Sequence, residues 1–274
     1  MARVWEKAVC AAGSALLTVT LLAAGLGACC LPPTTEALAG ATEKPDDSPY
    51  TAEQLARLAR AARDYTVDFR FGAPQEALAR LDGAIVEAAV VACEDPAKAD
   101  EWTLRAKEAA LRPQQPHNPV AQAQQLAAVS DRYALDTDAL RHLDDCNRLI
   151  TGAAPALALC AAGAVAAGAI LARHGRQRLL GRMLVAGPAA MAAALAALAA
   201  WAAIDFMGFF SAFHGLFFPQ GNWTFPIDSL LITMYPTRFW MGMGAVWAAT
   251  TVVLSILCLG FGIRLNKNKG NDHD

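Results

Sequence analysis

The chain has 274 residues, with 23 Lys and Arg against 25 Asp and Glu, a net charge of −2. Four stretches (8–31, 149–172, 183–204 and 239–263) carry no charge, so the other 179 residues hold all 48. That split excludes a soluble enzyme, a secreted disulfide scaffold and a disordered chain, and the near-neutral balance leaves no basic surface for nucleic acid.

A helix rises 1.5 Å per residue, so a hydrocarbon core of about 30 Å needs about 20 apolar residues. Each charge-free stretch meets that length and predicts a membrane span. Span one follows Arg3 and Lys7. It also reads as a lipoprotein signal peptide, with Leu26-Gly27-Ala28-Cys29 as the cleavage box, but it is longer than the roughly 7–15 apolar residues of a signal core, which favours a retained helix.

Residues 32–148 carry 13 basic and 20 acidic groups and predict a helical extracytoplasmic segment. Residues 32–50 are rich in Pro, Thr and Asp and read as a linker. Thr51 and Gln54 fit a capping box, which opens a helix with Leu55, Leu58, Ala62 and Tyr65 on one face. Further helices are predicted over 74–93, 97–111 and 119–130, with Pro113, Pro116 and Pro119 between the last two. A final helix starts near Thr137 and runs into span two, 149–172. His142 and Asp145 lie three apart on it and share a face. His142 stands seven residues before the span, about 10 Å of helix, near headgroup level.

Arg173, Arg176, Arg178 and Arg182 fill the short loop 173–182 between spans two and three, and Arg264, Lys267 and Lys269 lie in the tail 264–274 after span four. Basic residues concentrate on the cytoplasmic side, so both termini and this loop are expected inside. Spans two (149–172) and three (183–204) are rich in Ala, with Gly163, Gly168 and Gly187, which predicts close helix packing. Among the cysteines there is no C-x-x-C; Cys93 and Cys146 share one side of the membrane, and their pairing is left open.

The segment 205–238 holds nine of the 21 aromatic residues and only three charges. It predicts an aromatic loop, interfacial or re-entrant, which protein must cover or which must line a cavity. His214 lies at its middle beside Phe213, Phe217 and Phe218, followed by Asn222, Trp223 and Asp228. Asp228 with Ser229 also reads as a turn cap. The expected class is therefore an all-α integral membrane protein with four transmembrane helices and its span 4 at 239–263.

Two of the five histidines, His142 and His214, are expected at one membrane face, where polar groups are costly and default to function. Imidazole serves as acid or base near neutral pH. No H-E-x-x-H, G-x-S-x-G or Gly-rich phosphate loop occurs, so no covalent enzyme intermediate and no cofactor are expected. A metal held by His142, His214 and Asp145 is the weaker alternative.

The segments HLDDC (142–146) and FHGLFFPQGNWTFPIDSLLITMYPTRFW (213–240), together with four spans, resemble the bacterial lipoprotein intramolecular transacylases. The resemblance covers about 135–264, more weakly 50–70, and marks about 83–118 as an insertion. It implies an acyltransferase of the bacterial cytoplasmic membrane, active at the extracytoplasmic face on diacylglyceryl lipoproteins. One acyl chain would move from the glyceryl sn-2 oxygen to the α-amine of the lipidated N-terminal Cys, giving a lyso-form lipoprotein. His142 and His214 match the family's active-site histidines. Asp145, Asn222 and Asp228 would support them, and Phe213, Phe217, Phe218 and Trp223 would hold acyl chains within the membrane lipid. Two other functions are compatible with the residues: a different extracytoplasmic lipid hydrolase, or a non-enzymatic membrane assembly or binding protein.

Overall fold

The computed structural model describes residues 3–42, 48–94, 101–112 and 118–267. Among them are eleven helices and no strand. In chain order these are α1 (Val4–Cys29), α2 (Pro32–Gly40), α3 (Ala52–Val67), α4 (Pro74–Ala92), α5 (Glu101–Leu111), α6 (Pro119–Val129), α7 (Thr137–Arg173), α8 (Gln177–Ile204), α9 (Phe206–Phe217), α10 (Leu230–Met234) and α11 (Thr237–Lys267). By length and composition, α1, α7, α8 and α11 can each cross a membrane. The chain is an all-helical protein with four candidate transmembrane helices.

The chain divides into two compact units. The first comprises Met1–Cys29, Gly152–Phe213 and Gly244–Asp274. Its helices approach closely where glycine removes a side chain. A Cβ on Gly13 would lie 2.6 Å from the Met183 sulfur, and one on Gly187 would lie 2.9 Å from a Leu17 methyl. That close approach lets Thr18 Oγ1 donate to the Gly187 carbonyl at 3.1 Å. Trp247 Nε1 donates to the Leu22 carbonyl at 3.0 Å, fixing α11 to α1. In lipid, where burial gives little drive between helices, such packing and hydrogen bonds are what holds them together. At one end of this unit the Arg176 guanidinium meets the buried Glu6 carboxylate at 2.8 Å, and Trp5 packs edge-on against His174 at 5.1 Å. The start of α1 and the short turn between α7 and α8 therefore share an end.

The second unit comprises Cys30–Thr151 and His214–Met243. Its core is built from Leu58, Leu81, Ile85 and Leu126 of α3, α4 and α6, closed by Leu230, Met234 and Phe239. The predicted capping box is present: Thr51 Oγ1 accepts from the Gln54 amide at 3.2 Å, and Gln54 Oε1 accepts from the Thr51 amide at 2.8 Å. Tyr235 Oη donates to the Ala59 carbonyl at 2.5 Å, and the Leu230 amide donates to the Asp131 carbonyl at 2.8 Å, so the segment around α10 is bonded into this core.

Two segments differ from the expectation. The linker assigned to 32–50 begins as a helix, α2, because Pro32 and Pro33 occupy first-turn positions where a missing N–H is no loss. The aromatic segment 205–238 is more ordered than a loop: α9 takes its first third, His214 included. α9 stops ahead of Pro219, and Gly221, at φ 79°, makes the turn that follows. Residues 97–100 of the expected third helix, together with Pro113, Pro116 and Lys269, lie outside the described residues.

Candidate active site

His142 and His214 both belong to the second unit. α7 carries His142, and its first turn is fixed by Asp136, whose Oδ1 accepts from the Ala139 amide at 2.7 Å. α9 carries His214 on its last turn. The two imidazoles face each other with centroids 6.3 Å apart and planes inclined by 25°.

Aromatic rings surround the pair. Phe218 lies edge-on to His142 at 4.8 Å and packs on His214 at 5.8 Å. Trp223 covers His214 at 4.9 Å, and Phe225 covers His142 at 5.7 Å. Phe218 is almost fully buried, whereas Phe217 is 41% exposed. Phe213 belongs to the first unit and is 45% exposed. The aromatic wall at the histidines thus includes Phe218, Trp223 and Phe225, of which Phe225 was not anticipated from the sequence.

Asp145 fastens the two halves of this arrangement. Its Oδ2 accepts from Gln220 Nε2 at 2.7 Å and from Asn222 Nδ2 at 3.1 Å, and its Oδ1 accepts from Arg148 at 3.0 Å. One carboxylate on the His142 helix therefore holds the turn that follows His214. It does not hydrogen-bond His142, as the i, i+3 spacing suggested. The neighbour of His142 Nε2 is instead Cys146 Sγ at 3.7 Å, and His142 Nδ1 is buried without a hydrogen-bond partner. Cys146 carries a free thiol, so the Cys93–Cys146 pairing left open by the sequence is not made. Burial pushes that thiol up to about 12, with the Asp145 charge adding to the rise, so it stays protonated.

Asn222 has a fixed polarity. A carboxylate only accepts, so the Asn222 Nδ2 must face Asp145. Its Oδ1 is then turned away, buried and without a donor. An open groove of about 670 Å³ lies alongside, lined by Asp138, Arg141, Asp145 and Arg148 of α7 and by residues 220–222. Asp228 is placed elsewhere: it faces Arg132 at 3.9 Å and helps raise the carboxyl of Asp131, which burial raises first. Among the described contacts none joins Asp228 to either histidine. Ser229, its neighbour, caps α10.

His142 lies outside the charge-free part of α7, and burial sets its titration. Burial first, and then the charge of His214, push its imidazole down to about 4, against the opposing pull of Asp145. At neutral pH His142 is uncharged, with a lone pair available to take a proton. Among the described residues no group of three or more His, Cys, Asp or Glu is arranged to hold a metal ion.

Residues 117–240 match the family model of the lipoprotein intramolecular transacylases. The match includes both histidines, Asp145 and the whole aromatic segment, and it supports the family that the sequence resembles. It points to lipoprotein transacylase activity. No curated protein and no solved structure matches the chain.

Proposed function

We propose that the protein transfers an acyl chain within a diacylglyceryl lipoprotein, from the glyceryl sn-2 oxygen to the α-amine of the lipidated Cys. The observation that carries this reading is the facing pair of imidazoles inside an aromatic wall, in the part of the chain that matches the transacylase family.

Donor and acceptor belong to one substrate molecule, so the main task of the protein is to hold a near-attack geometry. Good orientation removes roughly 7–11 kcal/mol of such a barrier. The neutral amine attacks the ester carbonyl, and a carbon–nitrogen bond forms as the carbonyl becomes an oxyanion. His142 takes the proton released from nitrogen. The bond to the sn-2 oxygen then breaks, and that oxygen receives a proton from His214, which also faces the oxyanion. An ester and an amine become an amide and an alcohol, with no water consumed. The proton on His142 then passes to His214, directly or through solvent, so both residues end each turnover as they began, and exchanging their roles keeps the same balance.

Asn222 Oδ1, the acceptor left without a donor, receives an N–H of the attacking amine and orients its lone pair. Phe218, Trp223 and Phe225 keep water from the reacting ester, and Phe213 and Phe217 line the path of the acyl chains. Asp228 supports the fold around α10 and is not part of the chemistry. The site works at the extracytoplasmic face of the bacterial cytoplasmic membrane, with both termini inside, where lipoproteins expose a free lipidated Cys.

Purified protein incubated with a synthetic diacylglyceryl lipopeptide tests the reading. It gives an isomeric product and no free fatty acid. Release of fatty acid in step with substrate loss would mean a hydrolase instead.

A further inference from the structure

The turn joining α3 to α4, Asp68-Phe-Arg-Phe-Gly-Ala73, carries two exposed aromatic rings outside the core of the described residues. Phe71 is 93% exposed and Phe69 is 50% exposed, and the two rings stack on each other at 5.7 Å. Phe71 also has φ 40°, a left-handed conformation that a bulky side chain rarely adopts, and Gly72 follows at 84°. A strained backbone that holds an apolar ring in the open persists only where the surroundings impose it and points to a function for the ring.

The surroundings do impose it. Asn147 Nδ2 donates to the carbonyls of Thr66 and Asp68 at 3.0 and 3.1 Å. Arg70, between the two rings, is turned inward: it donates to Asp144 Oδ1 at 2.7 Å and to the Tyr65 carbonyl, and its guanidinium stacks on the Tyr65 ring at 3.8 Å. On the other side Arg63 Nε donates to the Cys30 carbonyl at 2.9 Å and its Nη1 meets Asp68 at 2.7 Å. The tip is therefore apolar, with its one cation committed inside.

These anchors fix its level. Asp144 and Asn147 stand five and two residues before the charge-free run of α7, about 7–8 Å and 3 Å along a helix. Cys30 directly follows the last residue of α1, the other apolar helix that ends nearby in sequence. The turn is thus attached just after α1 and just before the charge-free run of α7, the level at which the charge pattern puts the boundary between hydrocarbon and headgroups. Segments that lie at that depth place Phe, Trp and Leu on the face turned toward the acyl chains, where burial of the ring supplies the binding.

From this geometry we infer that Phe69 and Phe71 are a lipid-contacting anchor, inserted into the bilayer interface beside the end of α1 and the start of the charge-free run of α7. The inference stands independently of the acyl-transfer reading.

The test is site-specific photo-crosslinking of the full-length protein in nanodiscs of phosphatidylethanolamine and phosphatidylglycerol. Phe71→p-benzoylphenylalanine is compared with the same substitution at Arg57, whose side chain is 68% exposed on α3. The anchor predicts lipid adducts at position 71 at least fivefold above those at position 57, read by mass spectrometry. Equal lipid labelling at the two positions, or adducts to protein in place of lipid, would overturn it. Phe71→Gly guards against a folding artefact: it relieves the backbone strain, so the variant folds, and with the probe moved to Phe69 it shows whether the turn itself keeps its depth.

Discussion

His142 and His214 stand 72 positions apart in the chain, yet their rings face each other at 6.3 Å, nearly parallel. That spacing leaves room for a reacting atom between them and is too long for a direct hydrogen bond across the ring faces. The proposed transfer uses that gap to act on a third group.

Removing either imidazole is expected to slow the reaction steeply. His142→Gln and His214→Gln each lower acyl transfer by at least 10²-fold, the usual worth of a positioned acid or base, with membrane insertion unchanged. Transfer rates normalised to protein quantified in the membrane fraction check this. Full activity in both variants would sink the assignment.

The titration of His142 has a definite sign. Its imidazole lies near 4 in the folded protein, below the unperturbed value of about 6.5, so it is neutral at every pH from 6 upward. Transfer should therefore show no acid limb at 6–7 from this residue. In histidine-labelled protein, NMR assigns to His142 the one resonance that His142→Gln removes, and that resonance titrates below pH 5. His214→Gln moves its midpoint upward, because the neighbouring charge that lowers it is gone. A midpoint near 6.5 in the wild-type chain would contradict the buried environment.

Asp145 acts through position. Its carboxylate ties Gln220 and Asn222 to α7, so its loss frees the turn after His214. Asp145→Ala lowers transfer about 10–100-fold, and Asp145→Asn lowers it less, since an amide oxygen in the place of Oδ2 still accepts both bonds. Asn222→Leu keeps the size but removes the buried acceptor, and it raises KM for the lipopeptide amine more than it lowers stability. An unchanged KM in Asn222→Leu would remove Asn222 from the site.

Asp82 tests the helical unit itself. It is 2% exposed, one of its oxygens is buried without a partner, and burial raises its carboxyl to about 7. An unfolded Asp ionises near 3.9, so the unfolded state gains stability as pH rises from about 4 while the folded state holds its proton until about 7. Stability from this group is present at acid pH and is lost across that window. Asp82→Asn should raise the Tm at pH 8 and leave it nearly unchanged at pH 4.5, a difference on the order of 2–4 kcal/mol at the alkaline end. Equal shifts at both pH values would show that the carboxyl is solvated.

The sequence made some of these relations legible and hid others for physical reasons. The four membrane-length helices show as runs without charge, because a charge in lipid is too costly to hide. The α3 start shows because Thr51 and Gln54 form a local device, complete within four residues. α9 did not show: where Phe206–Phe217 is apolar at nearly every position, a 3.6-residue period has no polar face to mark it. α2 was masked by Pro32 and Pro33, which suggest a linker unless they fall on a first turn. At the candidate site, His142, His214 and Asp145 stood out by type and position. Gln220 and Cys146 did not, since the Gln220–Asp145 bond joins residues 75 positions apart and a single Cys beside a His has many ordinary explanations. Asp228 lies close to Trp223 in sequence, but it faces Arg132 and precedes α10, whose Leu230, Leu231 and Met234 are buried in the core.

The most direct measurement is fragmentation of a lipoprotein's N-terminal lipopeptide. The protein is expressed with a model lipoprotein in a host that leaves the lipidated Cys free on nitrogen. Moving an acyl chain within one molecule leaves the intact mass unchanged, so tandem mass spectrometry must locate the chain. Intramolecular transfer predicts an acylated α-nitrogen with one acyl chain left on the glyceryl group, and loss of both features in His142→Gln and His214→Gln. A free α-amine with both chains still on glycerol would contradict it.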